Sequence, residues 1–266
     1  MNKVVNGVPC KVVKNEWEVY FDMALTMFCE IVEHNQRGEK TVFIVPVGPT
    51  DQYPILAELV NRQRVSLKNV HFFNMDEYLA SPVCRIDDND PMSFHGRMKR
   101  DFYDRVDPEL VMPESQRHFP EPGQEAEFDA LLEELGGADM CFGGLGINGH
   151  VAFNEAAEPD DPITAEEFAQ LGTRILPISR ETRTINAYGY QRGDLLGMPE
   201  LCITIGMKQI LAAKKIYIAL NRPWQNGPLK HVLLDPEQPQ WPGSLLRRSQ
   251  LQLCMTEEIA RGVVSE

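Results

Sequence analysis

The sequence predicts an α/β fold, a doubly wound, mostly parallel central sheet with helices on both faces. Two observations carry this. Short apolar or β-branched runs bounded by Gly, Pro, Asp or Asn, at 41–48, 70–75, 139–145, 201–206 and 215–220, read as buried strands. Between them apolar residues recur at helical spacing, and strands alternating with helices build a parallel sheet covered on both sides. The first helix is expected over 16–35, from Val19, Met23, Met27, Phe28 and Ile31. Others are expected over 53–63 from Ile55, Leu56 and Leu59, over 92–104, and over 125–135 from Phe128, Leu131, Leu132 and Leu135. Such sheets bind ligands outside the carboxyl ends of their strands, so functional residues belong in the turns after strands. Two polar stretches, 81–91 and 156–170, read either as lids or binding loops or as solvated surface.

At 266 residues the chain has the length of one large α/β domain or two small ones, and a single domain over 1–266 is the expectation. Its 26 Lys+Arg against 39 Asp+Glu give a net charge of −13, which argues against nucleic acid and anionic membrane as partners. A hydrophobic content of 43% is enough for a packed core and excludes a disordered chain. No run of 18 apolar residues occurs, and the first positions interleave Lys3, Lys11, Lys14, Glu16 and Glu18 without a signal-peptide core, so a cytoplasmic protein is expected. The six cysteines are at least 19 positions apart, which leaves no zinc-ligand spacing and reads as buried free thiols.

Two turns carry chemistry. In Asn74-Met75-Asp76-Glu77-Tyr78, adjacent carboxylates follow a strand directly. A carboxylate fixed there can act as a general base, or can simply cap the next segment. In Gly144-Leu145-Gly146-Ile147-Asn148-Gly149-His150 the spacing matches G-x-G-x-x-G, but the run leads into Val151-Ala152-Phe153-Asn154-Glu155 rather than a helix. A dinucleotide site needs that helix N-terminus for the pyrophosphate, so it is rejected. The glycines instead let backbone N–H groups approach a polar ligand, with His150 beside it and Glu155 five positions on, able to orient the imidazole.

The segments FFNMDEYL (72–79) and GLGINGHVAFNE (144–155) resemble the two signature motifs of the glucosamine-6-phosphate deaminase/isomerase family. Order, spacing and strand context agree, and Tyr78 with Phe153-Asn154-Glu155 favours that branch over the sister 6-phosphogluconolactonases. The resemblance implies isomerisation of an amino sugar phosphate to a ketose phosphate with loss of ammonia, using no metal or organic cofactor. It makes Asp76 the base between C2 and C1, and His150 the ring-opening group, oriented by Glu155 and supported by Asn148. Substrate contacts are expected from Glu77, Gly48, Thr50, Gly146, Gly149 and Arg183, and a homo-oligomer would be ordinary for the family. The family's Gly-rich phosphate turn is altered here to Val45-Pro46-Val47-Gly48-Pro49-Thr50-Asp51, where the prolines supply no N–H. The family's phosphate lysine is replaced by Gln225, with Arg222 three residues earlier, and Ala156 stands where Pro is usual. In the family the 156–173 region forms a lid. Competing readings are a sugar-phosphate lactonase and a non-catalytic sugar-binding protein.

Overall fold

The computed structural model describes residues 2–264. The chain opens on a hairpin, β1 (Asn2–Val5) and β2 (Val8–Val13), turning at Asn6-Gly7, both at positive φ as a two-residue hairpin turn requires. Helix α1 (Glu16–Arg37) starts where the Asn15 side chain accepts from the Glu18 N–H and stops at Gly38 in the left-handed region. Next come β3 (Thr41–Val45), α2 (Gln52–Gln63), β4 (Val70–Asn74), β5 (Asp76–Ser81) and β6 (Cys84–Arg85). They are followed by α3 (Phe94–Met98), a π-helical turn over Lys99–Tyr103, β7 (Arg117–His118), α4 (Glu125–Glu134) and β8 (Met140–Gly143). The remainder is α5 (Ala165–Ala169), β9 (Arg174–Pro177), α6 (Arg180–Tyr190), β10 (Leu201–Thr204), α7 (Met207–Leu211), β11 (Lys215–Leu220), α8 (Asn226–Leu234), β12 (Leu251–Thr256) and α9 (Glu257–Ala260).

The main sheet has eight strands in the order β1-β2-β12-β11-β8-β3-β4-β7, parallel throughout except for the first hairpin. Consecutive strand residues point to opposite faces. Ile44, Phe73, Cys141 and Ile218 therefore join a core with Phe128, Ile210 and Val232 of α4, α7 and α8. Their neighbours Phe43, Phe72, Phe142 and Tyr217 join a second core with Met23, Met27 and Leu56 of α1 and α2. Burial on both faces is why these strands read as unbroken apolar runs. From β3 the chain winds outward through β4, and from its neighbour β8 it winds the other way through β11 and β12. The crevice outside the carboxyl ends of β3 and β8 is thus the topological switch point, where doubly wound folds take ligands.

A second sheet was not foreseen. It runs β6-β5-β10-β9, entirely antiparallel, over the carboxyl-end side of the main sheet. The 70–75 run stops at Asn74, and Asp76 to Tyr78, expected in a turn, open a strand of this sheet, Asp76–Ser81. The 201–206 run belongs to it too. The polar sequence DEYLAS lacks an apolar strand signature, and pairing on both edges buries it. The expected 92–104 helix is the short α3 plus its π turn. Cys10, Cys141, Cys202 and Cys254 are buried as expected, but Cys29 and Cys84 are exposed, on the outer side of α1 and at the sheet edge. Among the described residues no helix is long and apolar enough to cross a membrane.

Candidate active site

A cavity of about 590 Å³ opens at the switch point. Its walls are the turn after β3 (Pro46 to Asp51), the 144–153 loop after β8, the start of β5, α3, the later turns of α6, and the turn after β11. None of 81–91 or 156–170 lines it, which agrees with the solvated-surface reading of those stretches rather than the binding-loop one.

Asp76 and Tyr78 project into the cavity because they are alternate residues of β5. Asp76 is 5% exposed, and no protein group among the described residues donates a hydrogen bond to its carboxylate. Burial, with the neighbouring Glu77 charge as the lesser cause, pushes its pKa well above the usual carboxylate range. Glu77 points to the opposite face, which corrects its expected contact with substrate. Its carboxylate accepts from the N–H groups of Tyr78 (2.9 Å), Phe94 (2.9 Å) and His95 (2.8 Å) and from the Ser93 hydroxyl (3.2 Å). It is a buried pin that fastens α3 to β5.

His150 is held from behind. Its Nδ1 lies 2.8 Å from Asn148 Oδ1, 3.2 Å from the Thr182 hydroxyl and 3.4 Å from Glu155 Oε2. The Asn148 amide is oriented by donation from Nδ2 to Glu155 Oε2 at 2.7 Å, so Oδ1 is an acceptor and Nδ1 carries the proton. Nε2 is left with its lone pair as the free face of the ring. Glu155 also accepts from Thr182 Oγ1 (3.0 Å) and the Ser179 N–H (3.2 Å). Burial raises its pKa, but the hydrogen bond of His150 and its positive charge when protonated, with the hydrogen bonds of Asn148 and Thr182, outweigh this and hold it at about 2. It is an anion at any working pH.

One glycine of the loop makes room for the imidazole. A Cβ on Gly146 would fall 2.1 Å from His150 Cε1 and Nε2, so only glycine lets the ring lie there. Gly146 lines the cavity, but its N–H donates to the His150 carbonyl (2.9 Å). Gly149, at φ +77°, lies against Trp241 outside the cavity, with its N–H bonded to the Gly146 carbonyl (3.0 Å). Gly149's expected contact with substrate is therefore corrected, while Gly146 stays on the cavity wall with its own N–H already bonded. The loop is mounted on β10: Phe153 N–H donates to Thr204 Oγ1 (3.0 Å) and Asn154 Nδ2 to the Ile205 carbonyl (2.9 Å). Asp76 pairs with Thr204 in the ladder, so one strand fixes both the carboxylate and the imidazole loop.

The other end of the cavity is looser. Gly48 and Thr50 line it, Thr50 being 8% exposed with no hydrogen bond to its hydroxyl among the described residues. Arg183 does not line it. It turns outward to Glu200 at 2.6 Å, leaving its Nε buried and unbonded, which corrects the expected phosphate contact. Gln225 is a pin, accepting from the N–H groups of Asn221 and Arg222 (2.8 and 2.9 Å) and donating to the Leu145 carbonyl (2.8 Å). The cavity's arginines are Arg222, 3.6 Å from Glu16, and Arg97, stacked 5.2 Å over the Tyr190 ring. Arg97 escaped the sequence reading because its helix carries no motif. Among the described residues no group of three or more His, Cys, Asp or Glu could hold a metal ion.

The chain is 28% identical over 223 residues to a glucosamine-6-phosphate deaminase of Phocaeicola vulgatus, covering 81% of this chain and 78% of that one. A glucosamine-6-phosphate deaminase of Parabacteroides distasonis is 31% identical over 195 residues, 70% of this chain and 66% of its own. Among solved structures, a monomeric glucosamine-6-phosphate deaminase superposes with a TM-score of 0.80 at 21% identity, covering 94% of this chain and 98% of that one. A 6-phosphogluconolactonase of Leishmania guyanensis superposes with a TM-score of 0.66 at 17% identity, covering 96% and 98%. No protein-family model matches the chain.

Proposed function

The chain belongs to the glucosamine-6-phosphate deaminase family, and from that premise we propose that it converts an amino sugar phosphate such as glucosamine-6-phosphate, with water, to a ketose phosphate and ammonia. The observation that carries this reading is the pairing in one cavity of a buried, unbonded carboxylate, Asp76, with an imidazole whose Nδ1 is fixed and whose Nε2 is free. His150 Nε2 takes the proton of the anomeric hydroxyl and returns it to the ring oxygen, opening the ring. Glu155, held ionised, stabilises the imidazolium formed in between. Asp76 then removes the C2 proton of the open-chain aldehyde and delivers it to C1. The enol intermediate becomes an imine at C2, water adds there, and ammonia leaves. A raised pKa makes Asp76 a stronger base for a carbon-bound proton.

The phosphate is received at the 46–51 turn by the Thr50 hydroxyl and the Gly48 backbone, with Arg222 supplying the charge. A lactonase would leave Asp76 without a task, and a sugar-binding protein would need neither it nor the fixed tautomer. The test is ammonia and ketose formation by the purified protein from glucosamine-6-phosphate and from free glucosamine, with Asp76→Asn and His150→Gln as controls. Both products from the phosphate ester, absent in the variants, are expected. If no phosphorylated 2-amino sugar yields either product, the reading is wrong.

A further inference from the structure

Helix α6 enters the site twice. Its later turns, through Ile185, Asn186 and Tyr188 to Tyr190, wall the cavity. Its first turn reaches the hidden side of His150 without touching the cavity. Ser179 there is accounted for as the helix cap, its Oγ accepting from the Thr182 N–H at 3.2 Å. The Thr182 hydroxyl is not needed for capping, yet it is fully buried, 3.0 Å from Glu155 Oε2 and 3.2 Å from His150 Nδ1.

The proton inventory sets its direction. Glu155 only accepts, so the Thr182 hydroxyl proton goes to Glu155. Ser179 Oγ already accepts from the Asn148 amide (3.4 Å) and the Thr182 N–H, and it donates to Thr182 Oγ1 at 3.0 Å. The chain of donors therefore runs Ser179 to Thr182 to Glu155, and the remaining lone pair of Thr182 faces the Nδ1–H of His150. We propose that Thr182 is a positioning residue for His150: its hydroxyl clamps the Glu155 carboxylate and the imidazole in one arrangement, so the first turn of α6 is part of the ring-opening machinery. The proposal rests on the reading of His150 and Glu155 given above. It gives α6 a double role, since Asn186 on the same helix donates to the Tyr78 phenol (3.1 Å), two residues along β5 from Asp76. One helix spans both reacting groups.

The experiment compares Thr182→Val, nearly the same shape without the hydroxyl, with Thr182→Ser, which keeps it. With an amino sugar phosphate, Thr182→Val should lower kcat about tenfold with KM changed less than about twofold, and Thr182→Ser should restore kcat to within about twofold. In proton NMR, the low-field His150 Nδ1–H resonance, assigned by its loss in His150→Gln, should shift and exchange faster in Thr182→Val but not in Thr182→Ser. A folded Thr182→Val protein with unchanged kcat and unchanged resonance overturns the proposal, as does a Thr182→Ser protein damaged equally. The resonance is read without turnover, so a protein inactive on every amino sugar would sink the reaction above while this arm still decides. Should Thr182→Val fail to fold, Thr182→Ala removes the same hydroxyl with a smaller side chain; a moved resonance supports the clamp and an unmoved one overturns it.

Discussion

The two ends of the cavity are built to different standards. At the chemical end, Asp76 and the His150–Glu155 pair are nearly buried and mounted on one strand, and hydrogen bonds from separate segments fix Glu155 and the His150 loop. At the anion end the turn carries two prolines, Arg183 faces away, and Arg222 is half-exposed and drawn toward Glu16. Proton transfer needs atoms fixed within a fraction of an ångström, whereas a phosphate needs only local positive charge and a few donors. The chemical end therefore admits few solutions and the anion end many. This is why the chain holds to its family's motifs at one end and departs from them at the other.

Substitutions at the chemical end should have the largest effects. Asp76→Asn should cut turnover by about 10³-fold or more with KM little changed. The same change should raise stability at neutral pH. Because the folded-state pKa of Asp76 is raised, ionisation favours the unfolded chain as pH rises above the usual carboxylate range, and the neutral amide escapes this cost. The gain in Tm over wild type should shrink to nothing below about pH 4. If Asp76→Asn were active, the contrast between the ends would collapse.

Gly146→Ala comes next. Its Cβ would occupy the place of His150 Cε1 and Nε2, so kcat should fall about 10²-fold while the protein stays folded. Glu155→Gln should behave alike in kcat, and it carries a pH signature of opposite sign to Asp76. Its folded-state pKa is depressed to about 2, so its stabilisation is full above the unfolded carboxylate range and is lost as pH falls toward 2. Thermal unfolding of wild type and variant should differ near neutrality and converge in acid.

At the anion end the effects should be smaller and substrate-selective. Arg222→Ala should raise KM for a phosphorylated substrate about tenfold, roughly 1.4 kcal/mol, and leave any turnover of the free sugar unchanged. Arg183→Ala should change KM less than about twofold, because its partner Glu200 is outside the cavity and 78% exposed. A large effect of Arg183→Ala, with none for Arg222→Ala, would reverse the assignment of the anion end.

The same asymmetry governed what the sequence revealed. The buried strands were legible because two-sided burial writes unbroken apolar runs, as in TVFIV at 41–45. The second sheet was not, because DEYLAS owes its burial to pairing partners distant in sequence. Asp76, Asn148, His150 and Glu155 stand in two local segments of the sequence, and the structure brings the last three into hydrogen-bond reach and sets Asp76 and His150 in one cavity. Thr182 and Arg97 were not legible, because they reach the site through helices whose placement depends on the whole fold. Glu77 and Arg183 were misread for one physical reason. Sequence adjacency to a functional residue places a side chain near the site but says nothing about which face it takes.

The most direct test of the central claim is the reaction of glucosamine-6-phosphate in deuterium oxide, with the ketose phosphate analysed by NMR. Proton transfer through Asp76 from C2 to C1 predicts product whose new C1 hydrogen is divided between the proton taken from C2 and deuterium exchanged onto Asp76 from solvent, formed with an equivalent of ammonia and abolished in Asp76→Asn. Ketose and ammonia formed undiminished in Asp76→Asn would contradict the assignment of Asp76 as the base.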